Sequence, residues 1–261
     1  MHIKSLVVFL LMFIAFTSNA NCNFEVWIAV DVSKSSQGDQ YLMLARDIGK
    51  SLFDNENSTL SGVKVSAVAF AASVYKNDPL LLQNSFDDLE KELDALEKIE
   101  SEINIDSKNK NLLENLMSVF SPDSESTAGF GRLAELLKSN LKTKSVAQKK
   151  GVLQVLVLIT DGGHRTPINY EYLYNDGVPP PDFSESAQKI FRSLKDSHTL
   201  TIIPFRPKPN KKDTYQFFNT EALESISSVK KDPFGRDTIE GPILSDTEDV
   251  VTYLSRFEPC A

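Results

Sequence analysis

Apolar and polar positions along this chain fall into two alternating kinds of block. Short, nearly continuous apolar runs rich in aromatic and β-branched residues mark buried strands. Longer blocks with an apolar residue every three to four positions mark helices. The first run is 24–30 (FEVWIAV). Tyr41, Leu44, Ala45, Ile48 and Leu52 then recur at helical spacing, which predicts an amphipathic helix over 40–53. Residues 62–70 (GVKVSAVAF) alternate and then turn small and apolar, as a second strand does. A third strand is expected over 73–82, antiparallel and at a sheet edge, because Pro79 interrupts it. Phe86, Leu89, Leu93, Leu96 and Ile99 form a helical stripe with acidic residues opposite. A short helix is expected over 112–120, and Leu133, Leu136, Leu137 and Leu141 mark the next one.

The run 152–160 (VLQVLVLIT) is almost wholly aliphatic, the pattern of a central parallel strand covered on both faces. A long loop with Pro179-Pro180-Pro181 follows over 163–183. Ala187, Ile190, Phe191 and Leu194 then give a helix, 200–205 a strand, and 220–228 a short helix. An edge strand is expected over 239–244. A closing helix over 246–257 turns Val250, Leu254 and Phe257 inward. The alternation predicts an α/β fold: a doubly wound, mostly parallel central sheet with one antiparallel edge strand and helices on both faces. In such sheets the ligand site lies at the carboxyl ends of the strands.

Composition adds a compartment. Lys4, the apolar run 6–16 and the small residues of Ser18-Asn19-Ala20 have the layout of a secretory signal peptide over 1–20, cut after Ala20. Those 11 apolar residues are too few to cross a hydrocarbon layer of about 30 Å. The remaining 21–261, in a chain that is 41% hydrophobic, suffices for a single domain with one sizeable core. Cys22 and Cys260, the two cysteines of the chain, are expected to pair as a disulfide in an exported protein. Asn57-Ser58-Thr59 is an N-glycosylation sequon.

Charge and motifs then narrow the function. The formal net charge is −8; losing Lys4 with the leader makes it −9. Nucleic acid and anionic membranes both need a basic face, so neither is an expected partner. The basic island over 208–212 reads as a solvated loop. There is no G-x-S-x-G elbow, no Walker loop and no dinucleotide fingerprint, which argues against an enzyme.

Three features fall at predicted strand or helix ends. The first strand runs into Asp31-Val32-Ser33-Lys34-Ser35, and the central strand into Asp161-Gly162-Gly163. Ser126-Thr127 stands before the helix of Leu133. Asp31-x-Ser33-x-Ser35, a threonine before a helix, and Ile159-Thr160-Asp161-Gly162, in this element order, resemble the von Willebrand factor type A domain. The resemblance runs from Cys22 to Cys260. It implies a secreted adhesion module with a metal-ion-dependent adhesion site and no catalytic residues. Ser33, Ser35 and Thr127 would ligate through hydroxyls, and Asp31 and Asp161 largely through bound water. Mg²⁺ is the implied ion, with Mn²⁺ as the alternative. The implied partner is an extracellular protein presenting Asp or Glu to a monomeric domain.

The donor chemistry is consistent with this. Five oxygen donors suit a hard cation better than zinc. Two carboxylates balance the ion's charge, three hydroxyls add none, and one coordination position stays available for an incoming carboxylate. Taken singly, each residue has a plainer explanation. Ser33, Ser35 and Thr127 fit helix caps, and Asp161-Gly162 fits a turn. Lys34 stands where the family usually has glycine, and Ser126 is the alternative to Thr127 in a loop that lacks the usual glycine. These departures keep open a structural domain without working metal; a metal-dependent hydrolase is the remoter alternative. Lys34 and His164 are expected at the rim of the site. Tyr170, Tyr172 and Tyr174 either form a contact surface or pin their loop.

Overall fold

A computed structural model describes residues 23–32, 38–54, 60–70, 74–75, 81–109, 130–160, 185–206, 220–229 and 243–255. Five strands and seven helices are seen among them. In chain order they are β1 (Asn23–Asp31), α1 (Gly38–Phe53), β2 (Ser61–Phe70), β3 (Val74–Tyr75), α2 (Phe86–Asn109), α3 (Phe130–Asn140), α4 (Lys144–Lys149), β4 (Val152–Ile159), α5 (Glu185–His198), β5 (Leu200–Phe205), α6 (Thr220–Ile226) and α7 (Thr247–Ser255).

The strands form one sheet in the order β3-β2-β1-β4-β5. β1 pairs in parallel with β2 and with β4, and β4 with β5. Alternation of side chains sends each strand's residues to two opposite cores. Val26, Ile28 and Val30 of β1 join Val155, Val157 and Ile159 of β4 beneath α1, α2 and α7. Trp27 and Ala29 join Leu156 and Leu158 beneath α3, α5 and α6. Burial on both faces explains why these strands read as unbroken apolar runs. The fold is therefore the doubly wound α/β arrangement that the type A resemblance implies. None of the helices among the described residues is long and apolar enough to cross a membrane.

The amino ends of the strands are closed by polar clamps. Gln154, 1% exposed, accepts from the Lys142 backbone N–H at 2.6 Å and donates to the carbonyls of Lys142 and His198 at 2.9 and 2.7 Å. Lys142 pairs with the carboxylate of the buried Glu25. On the other side of the sheet, Arg46 of α1 reaches Asp94 and Glu97 of α2 at 2.5 and 2.7 Å.

Four features differ from the pattern reading. Of the edge strand expected over 73–82, the described residues show Val74–Tyr75, antiparallel to Phe70 and Ala69, with a separate antiparallel bridge from Val65 to Gln83 just beyond it. Between those contacts the edge of β2 is met by a side chain. Glu92 of α2 accepts from the Ala67 N–H and the Ser66 hydroxyl, both at 3.2 Å. Its spacing from Leu89, Leu93 and Leu96 puts it on the inward stripe and not with the acidic face, and it is 4% exposed. Burial is the main reason its carboxyl is pushed up to about 7, against an ordinary 4.5.

Helix α2 also runs on to Asn109 instead of ending near Ile99. Residues 100–109 (ESEINIDSKN) contain no glycine or proline to stop it. α4 was not expected; it buries only Ala147 and so leaves no apolar stripe to read. At the far edge, among the described residues, Leu244 continues the sheet as a parallel bridge beside Phe205. The short helix expected over 112–120 and the first residues of the 239–244 strand lie outside the described residues, as do residues 1–20, Cys22, Cys260 and Asn57.

Candidate functional site

Register determines which side chains can meet at the carboxyl ends. Val30 of β1 stands opposite Ile159 of β4, and Ile159 opposite Phe205 of β5. One step further along both parallel strands, Asp31 comes beside Thr160. Alternation gives these two residues the same face as Ala29 and Leu158, so their side chains share one side of the sheet. Their backbones are held by neighbours. Asp31 is in register with Phe70, and the Val32 N–H donates to the Phe70 carbonyl at 2.9 Å. The Thr160 N–H donates to the Phe205 carbonyl at 3.3 Å.

Asp31 is 2% exposed and Thr160 is 0% exposed. The Thr160 hydroxyl donates to Asp31 Oδ2 at 2.7 Å, joining residues 129 positions apart in sequence. A carboxylate taken this far out of water is costly unless charge or hydrogen bonds compensate it. Its place at a strand terminus, with one oxygen already oriented, fits an oxygen donor for a hard cation. Thr160 stands in the Ile159-Thr160-Asp161-Gly162 motif, but the motif reading gives it no role in the site. The available signal was its position, a hydroxyl ending an otherwise aliphatic strand.

The entry to α3 lies on the same face. Phe130, the first residue of that helix, packs its ring on Phe70 with centroids 5.0 Å apart and planes at 55°. Phe130 is buried and precedes Leu133, so the first core residue of the helix comes one turn earlier than expected.

The remaining site residues read from the sequence lie outside the described residues: Ser33, Lys34, Ser35, Ser126, Thr127, Asp161 and His164, with Tyr170, Tyr172 and Tyr174. Among the described residues, no group of three or more His, Cys, Asp and Glu side chains is placed to hold a metal ion. Of the proposed ligands, then, Asp31 alone has a described geometry.

No protein-family model matches this sequence, and no curated protein matches it. Among solved structures, the chain is similar to proximal thread matrix protein 1 from the mussel byssus. The identity is 16% and the TM-score 0.48, over 93% of this chain and 49% of that one. A further structure of the mussel protein, described as having a zinc-occupied MIDAS motif, matches at 16% identity and a TM-score of 0.47 over 93% and 48% of the two chains. The manganese-loaded TRAP protein of Plasmodium vivax matches at 14% identity and a TM-score of 0.47, over 92% of this chain and 75% of that one. This chain spans about half the length of the mussel protein. The fold assignment rests on the sheet order and register described above.

Proposed function

We propose that this chain is a von Willebrand factor type A module of the secretory pathway that binds a divalent cation at the carboxyl ends of β1 and β4. Through that ion it holds an acidic side chain of an extracellular protein. The observation that carries the proposal is the buried Asp31 carboxylate, oriented by Thr160 at the adjoining ends of the two strands. Chain connectivity supports the other donors. Ser33 and Ser35 follow Asp31 by two and four residues, and Asp161 is bonded to Thr160. Thr127 precedes Phe130 by three residues, at most roughly 10 Å of chain. Phe130 is anchored on Phe70, which pairs with Asp31.

Asp31, Ser33, Ser35, Thr127 and Asp161 would hold the ion, with Mg²⁺ preferred and Mn²⁺ accepted. The ion supplies a positive centre that an acidic partner can approach despite the chain's formal charge of −8. Lys34 and His164 would flank the partner. Residues 1–20 would be removed on export, Cys22 would pair with Cys260, and Asn57 would be available for glycosylation. The role is binding and not catalysis.

Calorimetric titration of the domain over 21–261 with Mg²⁺ and Mn²⁺ tests this directly. Binding in the micromolar to low millimolar range, abolished by Asp31→Ala, is expected. No heat up to millimolar ion would end the metal reading. Recovery of the same protein partner with and without EDTA would end the adhesion reading.

A further inference from the structure

We infer that Thr160 is a positioning residue for the cation site: its hydroxyl fixes the Asp31 carboxylate in the orientation that metal binding uses. The inference rests on the cation-site reading above, and it concerns a residue outside the five proposed ligands.

The geometry gives Thr160 two attachments in different directions. Its backbone N–H is bonded to the Phe205 carbonyl of β5 at 3.3 Å. Its side chain points the other way, with Oγ1 donating to Asp31 Oδ2 of β1 at 2.7 Å. Thr160 thus ties the end of β1 to β5 across β4. A threonine is stiff at χ1, because two heavy atoms on Cβ leave few rotamers open. At 0% exposure, bulk water does not compete for the hydroxyl. With Oδ2 held, the plane of the carboxylate is set, and so is the direction of Oδ1.

An aspartate side chain has two torsions, and both are restricted when a cation binds. Fixing them beforehand lowers the ordering cost of binding. Partners that orient metal ligands in this way typically change affinity by about 10–100-fold when removed. The plainer alternative is that Asp31 merely satisfies a buried threonine hydroxyl, in which case the bond matters for folding and not for the ion.

Mn²⁺ binding, read from the electron paramagnetic resonance signal of the free ion, separates these cases. The protein is residues 21–261 with Thr160→Val, Thr160→Ser or Thr160→Ala. The control is Gln154→Met, which removes buried hydrogen bonds at the opposite end of β4, roughly 20 Å away along the strand. Folding of each is checked by far-UV circular dichroism, and Thr160→Ala carries the test if Thr160→Val does not fold. The expected result is a 10–100-fold weaker Mn²⁺ affinity for Thr160→Val, restoration to within about threefold for Thr160→Ser, and unchanged affinity for Gln154→Met. If the unaltered protein binds Mn²⁺ and Thr160→Val binds it equally well, the positioning role is overturned and the cation site stands. An equal loss in Gln154→Met would also overturn it, by showing that loosening anywhere in β4 suffices. No Mn²⁺ binding by the unaltered protein would overturn both.

Discussion

Replacing Glu92 with glutamine should remove a fall in stability between pH 5 and pH 8. Glu92 sits inside the α2 side of the core, where it accepts from the Ala67 backbone N–H and the Ser66 hydroxyl of β2. An unfolded glutamate loses its proton near 4.5, whereas burial holds the folded one to about 7. Between those values the folded state binds more protons than the unfolded state, so stability decreases as pH rises through the window. It is greatest below about 4.5 and fully reduced above about 7, as far as this group alone is concerned. The difference corresponds to roughly 3 kcal/mol in total, and to roughly 2 kcal/mol between pH 5 and pH 8 once partial ionisation and water access are allowed for. Glutamine keeps a carbonyl oxygen for the Ala67 N–H and offers an amide to the Ser66 hydroxyl, without the charge.

Urea unfolding of both proteins at pH 5 and pH 8 gives a double difference in which other titrating carboxylates cancel. With a urea slope of about 2–3 kcal/mol per molar, Glu92→Gln should gain close to 1 M in midpoint relative to the unaltered protein as pH rises from 5 to 8. A double difference near zero would refute the reasoning. One of opposite sign would show that the bonds from Ser66 and Ala67 outweigh the burial of the charge.

Two further expectations concern the clamps around the sheet. Lys142→Met leaves the buried Glu25 carboxylate without its ammonium partner and should cost roughly 2–3 kcal/mol in urea unfolding. Adding Glu25→Leu should recover most of that loss, and a purely additive double variant would argue against coupling. Thr199, between α5 and β5, has a backbone φ of 55°, the left-handed region where a β-branched residue is strained. Thr199→Gly relieves this at some cost in chain entropy, for a net gain of about 0.5–1 kcal/mol and a melting temperature higher by about 1–4 °C. An unchanged or lower melting temperature would mean that contacts of the threonine offset the strain.

The strands were legible because burial on both faces suppresses polar positions, so β1, β4 and β5 appear as apolar runs whose ends agree with the structure to within a residue. Helices were legible where they carry a stripe and poorly so where they do not. α4 buries only Ala147, and the second half of α2 is prolonged by the absence of any stop signal. Polar side chains on inward positions were the harder case. Glu92 obeys the same spacing as Leu89, Leu93 and Leu96, but its charge assigns it to the surface in any reading that sorts residues by polarity. The Ala67 N–H and the Ser66 hydroxyl, which both donate to it across the gap between β2 and α2, explain why an acid belongs there.

The site shows the same division between what lies along the chain and what lies across it. Asp31 and Asp161 can be picked out as residues that follow apolar runs, but nothing local brings Thr160 onto Asp31. That contact depends on Val30 standing opposite Ile159, and the pairing is set by the alternation of Val26, Ile28 and Val30 against Val155, Val157 and Ile159 in one core. Slipping β4 by one residue would turn those three β4 side chains to the opposite face and send Thr160 away from Asp31. The apolar layers beneath the sheet therefore fix the geometry of the polar pair at its edge.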